Sequence, residues 1–255
     1  MQPDRLALLL APVLALSACA TGGGRSSASE TGTTRSAADV NVQLGQKYME
    51  RGDLEIAMEK LRKAVELDPR SADAHTMLGV LYERIGRVEL AGEHYARSVA
   101  LDGDDGVMLN NYGGFLCRQR RYDEADAMFA KALEDPFYRT PNAALTNAGV
   151  CAMQAGRLER AESYLRRALE KEPRNSGALF QLAQVNFAKG EFLSARAFIQ
   201  RLEAASPATA EALSLAARIE ERLGDKAAAD KYRKRLRTEF PDYRPPKTSG
   251  ETSSS

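Results

Sequence analysis

Small and apolar residues return along this chain with one long period. A Leu-Gly pair at 44–45 comes back at 78–79, and the glycine place recurs at Gly113 and Gly149, then as Ala183 and Ala217. Each step is 34 residues except the one from Gly113 to Gly149, which is 36. Alanines follow in phase at Ala57, Ala91, Ala125, Ala161, Ala195 and Ala229. Between the two sets lies a turn position, filled by Gly52, Gly86, Gly156, Gly190 and Gly224, with Arg120 in the third unit. Pro69, Pro173, Pro207 and Pro241 close four units, and Pro136 closes the third one residue early. This pattern predicts a helix, a tight turn and a second helix in every unit. Small residues let the two helices lie close, large apolar ones fill between units, and proline stops the second helix. Such a unit cannot bury its apolar face alone, so neighbours must stack. An ordinary bundle with chance periodicity does not return the same residue classes in phase six times.

The period and its residues resemble the tetratricopeptide repeat. LGQKYMERGDLEIAMEKLRKAVELDP (44–69) carries Leu-Gly, Tyr48, Gly52, Ala57, Leu61, Ala64 and the closing Asp-Pro. LGVLYERIGRVELAGEHYARSVALD (78–102) repeats it with Tyr82, Gly86, Ala91 and Tyr95. The fold class expected is therefore all-α, a tetratricopeptide-repeat superhelix of about six helix-turn-helix units over residues 38–241. The longer step falls in LEDPFYRTPN (133–142), with Pro136, Pro141, Phe137 and Tyr138. The 135–141 loop is either a tolerated insertion or a docking knob, and it is expected to splay the stack locally.

The chain opens MQPDRLALLLAPVLALSAC. One arginine, an apolar run from Leu6 to Leu16 and small residues before a cysteine make an export signal, too short for a membrane-spanning helix. Leu16-Ser17-Ala18-Cys19 resembles the bacterial lipobox, in which the signal is cut before a cysteine that carries lipid. The alternative is an ordinary signal peptide with an incidental cysteine. The resemblance implies a signal peptide over 1–18 and acylation, palmitate included, of Cys19. Each buried methylene then adds about 0.8 kcal/mol to anchoring. Residue 20 is alanine rather than the aspartate of an inner-membrane retention signal, which implies the periplasmic face of the outer membrane. Residues 19–37, rich in Gly, Ser and Thr, read as a flexible tether, and 242–255 as a disordered tail.

The formal net charge is +1, from 36 basic and 35 acidic residues, so no basic face announces nucleic acid. Catalytic chemistry is missing. His75 and His94 have no cysteines or paired carboxylates at metal spacing, and no Walker, dinucleotide or nucleophile-elbow motif occurs. DGDDG (102–106) has its glycine misplaced for a calcium loop and reads as a turn between units. No enzyme, metal or cofactor is expected.

In this repeat class the first helix of each unit lines a concave groove. Two places before each landmark stand Gln43, Met77, Asn111, Asn147, Gln181 and Leu215. Four of these are amides, each with donors and an acceptor, able to bond the backbone of an extended partner protein. The competing reading is that the asparagines bond a neighbouring helix within the scaffold. An inward carboxylate clamp of Lys and Arg pairs is not evident. Cys117 and Cys151 fall on first helices of adjacent units. In an oxidising periplasm two such cysteines read as a disulfide, the alternative being two buried free thiols.

NNYGGFLCRQRRYDEADAMFAKALEDPFY (110–138) with NAGVCAMQAGRLERAESYLRRAL (147–169) resembles the type IV pilus biogenesis lipoproteins of the PilF/PilW family. Lipobox, six repeats, the Asn-Asn-Tyr-Gly run, Phe-Leu-Cys, the Asp-Pro-aromatic-Tyr loop and the second cysteine all agree. The resemblance implies a pilotin, an outer-membrane lipoprotein that binds secretin subunits, localises them and promotes their multimerisation. Two other functions fit the same parts. One is a periplasmic scaffold lipoprotein recruiting peptidoglycan hydrolases or proteases; the other is an outer-membrane protein assembly factor.

Overall fold

In the computed structural model the described residues are 27–244, with side chains from residue 34. Twelve helices run through this part, in six pairs. They are α1 (Ser27–Arg51) with α2 (Leu54–Leu67), α3 (Ala72–Arg84) with α4 (Val88–Leu101), and α5 (Gly106–Arg118) with α6 (Tyr122–Ala132). Then follow α7 (Pro141–Gln154) with α8 (Leu158–Lys171), α9 (Ser176–Lys189) with α10 (Phe192–Ala205), and α11 (Ala210–Leu223) with α12 (Lys226–Glu239). The all-helical repeat stack read from the period is what the chain forms.

The landmark residues act by closeness. A Cβ built on Gly113 would lie 2.9 Å from the Phe129 ring, and one on Gly149 would lie 2.6 Å from Leu165 Cγ. Both partners are fully buried, so the first helix of each pair (helix A) presses directly onto the second (helix B) where no side chain intervenes. One apolar core runs from Met49 in the first unit to Ile219 in the sixth. The A helices are capped by the residue types that suit the place. Ser71, Asp105, Asn175 and Thr209 each accept from the backbone N–H three residues on. Only α7, which starts at Pro141 after the long loop, lacks a side-chain cap among the A helices whose caps are described.

The long loop is built rather than loose. Tyr138 turns inward against Leu109, Ala132 and Ala144, and a Cβ on Gly106 would meet its ring at 2.6 Å. The Asp135 carboxylate accepts from the N–H groups of Gly106 (2.9 Å) and Phe137 (2.8 Å). Phe137 is left 87% exposed. The expected splaying does not occur. Cys117 on α5 and Cys151 on α7 have Cα atoms 5.7 Å apart, so the two helices pack directly on one another. The extra residues bulge outward around Tyr138, and small residues at the helix contact do the rest.

Both ends differ from the expected boundaries. α1 begins at Ser27, inside the stretch expected to be tether. Once Ala38 and Val42 are buried in the first unit, extending the helix upstream costs far less than starting one. At the other end Tyr243 and Arg244, expected to belong to the tail, return to the inner surface. Cys19 and the signal lie outside the described residues, as do residues 245–255.

Candidate functional site

Successive A helices touch one another (α1 with α3, α3 with α5, and so on to α11), whereas no two B helices do among the described residues. The stack therefore curves with its A helices inside, and the concave surface is theirs. Gln43 is exposed on α1, and Met77 is half-buried against Val42, Ala64 and Ala74. Asn111 is half-buried on α5 and Asn147 exposed on α7. Gln181 is half-buried, with its Oε1 enclosed and without a protein donor. Leu215 is buried and lines the C-terminal end of the groove.

The structure does not join Asn111 to Asn147. The Nδ2 of Asn147 donates to Oδ1 of Asn110, at 3.0 Å. Neighbouring A helices are rotated against one another, so the asparagine one residue earlier faces the partner helix. The NNYGG pair held that information, but one residue is 100° of helix and spacing alone does not choose. This bond is part of the scaffold. It uses one donor of Asn147 and one acceptor position of Asn110. It leaves Asn147 Oδ1 and Asn110 Nδ2 free, an acceptor beside a donor, which is what a peptide unit offers in reverse. Just beside it, Asn147 lines a shallow cleft with Gly114, Cys117, Arg118, Val150 and Gln154. The two cysteine sulfurs stand at bonding distance under this cleft.

The C-terminal half of the same surface holds an open groove of about 680 Å3 that the amide pattern missed. Met153, Phe180, Phe187 and Leu215 give it an apolar lining, with Gln184, Ser214, Arg218 and the returning Tyr243 and Arg244 around them. Its sequence signal was present in Phe180, at a place where four of the other five units carry Thr76, Asn110, Thr146 and Ser214. Among the described residues no group of three or more His, Cys, Asp or Glu could hold a metal ion.

Models of the tetratricopeptide repeat match residues 45–86, 72–105, 116–176 and 152–219. The type IV pilus assembly protein PilF of Pseudomonas aeruginosa is 30% identical over 237 residues, 93% of this chain and 94% of the relative. The crystal structure of PilW, described as a widely conserved type IV pilus biogenesis factor, superposes with a TM-score of 0.77 at 30% identity. It covers 81% of this chain and 94% of PilW. The P. aeruginosa PilF structure gives a TM-score of 0.74 at 31% identity, over 83% and 95% of the two chains. The bacterial repeat protein YrrB, with an unusual peptide-binding site, shares the fold at 21% identity and a TM-score of 0.57. With 30% identity over nearly the whole length of both chains, the chain belongs to the PilF/PilW family of tetratricopeptide-repeat type IV pilus biogenesis proteins.

Proposed function

We propose that this protein is a pilotin, which carries secretin subunits of the type IV pilus to the outer membrane and promotes their assembly into a ring. The observation that carries this reading is the likeness to PilF over 93% of the chain. In this reading residues 1–18 direct export, and lipid on Cys19 holds the protein on the periplasmic face of the outer membrane. Residues after it supply reach, and the A-helix surface takes an extended segment of the secretin. The free edges of Asn110 and Asn147 bond the main chain of that segment, and the neighbouring cleft receives its side chains. Cys117 and Cys151 are oxidised in the exported protein and hold the third and fourth units in register beneath the bound segment.

Two measurements test it. Cys19→Ala should leave the protein unprocessed or soluble on membrane fractionation, with secretin multimers failing to form. Asn110→Ala/Asn147→Ala should weaken binding of purified secretin subunits about five- to a hundredfold, at 0.5–1.5 kcal/mol per lost hydrogen bond. Its melting temperature should fall only slightly, because the one scaffold hydrogen bond it removes is solvent-exposed and both partners leave together. Wild-type affinity in that variant would place the partner elsewhere. Co-purification of a cell-wall hydrolase in place of a secretin would replace the pilotin reading altogether.

A further inference from the structure

The inner surface carries an arginine five places after the landmark in three units, Arg84, Arg118 and Arg222, and it is treated differently in each. Arg84 donates to the Met49 carbonyl of the preceding unit. In the third unit Arg118 forks onto Glu83 of the preceding unit, which sits four places after its own landmark. In the sixth unit the equivalent is Arg222, and four places after the landmark of the preceding unit stands Phe187 instead of an acid. Without that carboxylate, Arg222 stacks over the Phe192 ring at 4.3 Å, and Arg218, one turn before it on α11, stacks over Phe187 at 4.6 Å. Arg244 bonds only to the carbonyl oxygens of Pro241 and Tyr243. Among the described residues no carboxylate lies within ion-pair distance of Arg218, Arg222 or Arg244, in a chain with almost as many acids as bases. A guanidinium stacked on a ring keeps its N–H edge free, in the fork geometry that fits a carboxylate.

We infer that the C-terminal groove is a second docking site, for an extended segment of another protein that alternates carboxylates with bulky apolar side chains. The apolar side chains pack on Phe180, Phe187 and Leu215, and the carboxylates meet Arg218 and Arg244 in the groove and Arg222 beyond its lining, one turn along α11. In an extended chain, alternate side chains point to opposite sides, about 6–7 Å apart along each side. Arg218 and Arg222 lie one helical turn apart, about 5.4–6 Å along the axis, and match that repeat. Glu211, in the first turn of the same helix, sets the polarity of the groove and rejects a carboxylate at that end. This inference rests on the reading that the inner surface holds an extended partner, and its test does not use the secretin.

The probe is a dye-labelled ten-residue peptide, acetylated and amidated, that alternates aspartate with leucine and phenylalanine. A second peptide has lysine for aspartate. Titrated into the purified full chain and followed by fluorescence anisotropy, the acidic peptide should bind at least tenfold more tightly. Arg218→Gln/Arg222→Gln should weaken it about tenfold, and Arg218→Lys/Arg222→Lys should fall between that variant and the wild type, keeping the charge but losing the fork. Both arginines are exposed, and an unchanged melting temperature in these variants shows that the fold is kept. Asn110→Ala/Asn147→Ala should leave the acidic peptide unaffected. Equal binding of the two peptides, or full affinity in the Gln variant, overturns the second site while leaving the secretin reading to stand on its own test. Loss of the acidic peptide in the asparagine variant also overturns it, because the peptide would then sit in the central cleft.

Discussion

The junction between the third and fourth units and the one between the fifth and sixth differ at their A helices, although charged pairs join the B helices in both, Arg160 on α8 to Asp126 on α6 and Arg235 on α12 to Glu203 on α10. At the first, small residues bring Cα atoms of α5 and α7 within 5.7 Å at Cys117 and Cys151, and a hydrogen bond from the Asn147 amide to the Asn110 amide oxygen bridges the same helices. At the second, charged side chains span the gap. Arg196 on α10 forks onto Glu220 on α11. Arg235 and the Tyr232 hydroxyl on α12 both donate to Glu203 on α10, at 2.9 and 3.0 Å. Burial and that carboxylate push the Tyr232 hydroxyl up to about 12, so it remains a donor at any physiological pH. The A helices touch more extensively at the central junction than at the C-terminal one, and the open groove lies on that A-helix surface, apart from the cavity that these charged side chains line. The central junction is built for a fixed register and the C-terminal one for space.

The sharpest way to break the contrast is to remove sulfur. Cys117→Ser/Cys151→Ser should destabilise oxidised protein by about 3–4 kcal/mol, from the chain-entropy cost of closing 34 residues. Urea unfolding of oxidised, reduced and double-Ser protein measures it. The reduced wild type should match the double-Ser variant, and binding of the acidic peptide should be untouched. Equal midpoints for oxidised and reduced protein would show that close packing alone holds this junction.

A smaller loss is expected at the other junction. Glu220 is 5% exposed, so Arg196→Ala strands a buried carboxylate and should cost about 1–3 kcal/mol, discounted because Arg196 is itself partly open to water. Arg196→Met/Glu220→Leu should recover most of that loss, since a well-packed apolar pair is often as stable as the ion pair. Failure of the double variant to recover would mean that the charges set the spacing of α10 and α11 and not only their attraction.

How far the sequence could be read follows the same division. Period, helix count and landmark contacts are repeated features, and six copies average out the accidents of any one unit. Gly113 against Phe129 is the same event as Gly45 against Leu61. Cys117 and Cys151 could be placed on facing helices because each is counted from a landmark glycine. The amide row could not be placed as well. Asn110 rather than Asn111 faces Asn147 because helix rotation between units is set by side-chain volume in the contact, and a register has no access to it. The C-terminal groove was hidden for another reason: it depends on what is absent, an acid four places after a landmark, and on Tyr243 and Arg244 returning beyond the last repeat. The start of α1 at Ser27 was not legible either, because a helix can run upstream of its repeat.

The second unit offers a pH-dependent counterpart to these redox- and charge-held junctions. The rings of His75 and His94 approach with Nδ1 atoms 3.0 Å apart between α3 and α4. His75 Nε2 faces the Pro69 carbonyl at 3.3 Å, which makes it the donor there and leaves Nδ1 to accept from His94. Tyr82, held by Arg62, stacks on His94, and Arg97 adds positive charge near His75. Burial, as the first cause, lowers both histidines below their ordinary value of 6.5, with Arg97 adding to the shift at His75 and His75 at His94; the Pro69 carbonyl partly opposes it at His75. Each ring is then harder to protonate folded than unfolded. Their contribution is full above pH 6.5 and is lost as the pH falls below it through the depressed folded values. Thermal melts from pH 7.5 to 5 should show the wild type losing more stability than His75→Gln/His94→Gln. Parallel slopes in the two proteins would remove the histidines from the account.

The smallest expected effect concerns the one turn that breaks the glycine rule. Five of the six turns between paired helices carry a glycine at φ between 75° and 87°, and the third carries Arg120 at φ 61°. A non-glycine residue in the left-handed region costs about 1–2 kcal/mol, while glycine there gives back about 0.5–1 kcal/mol of chain entropy on folding. Arg120→Gly should therefore raise stability by about 0.5–1 kcal/mol, with nothing lost in packing because the side chain is exposed. Arg120→Asn should fall between the two, since asparagine tolerates this backbone better than arginine. Differential scanning calorimetry on the three proteins resolves such steps. The comparison with the cystine sharpens it: α5 ends at this turn one residue after Cys117, so the gain should be the same in oxidised and in double-Ser protein if strain at Arg120 is local. A gain that appears only without the cystine would mean that the bond to α7 already fixes the turn, and that strain there is tied to the register of the third and fourth units.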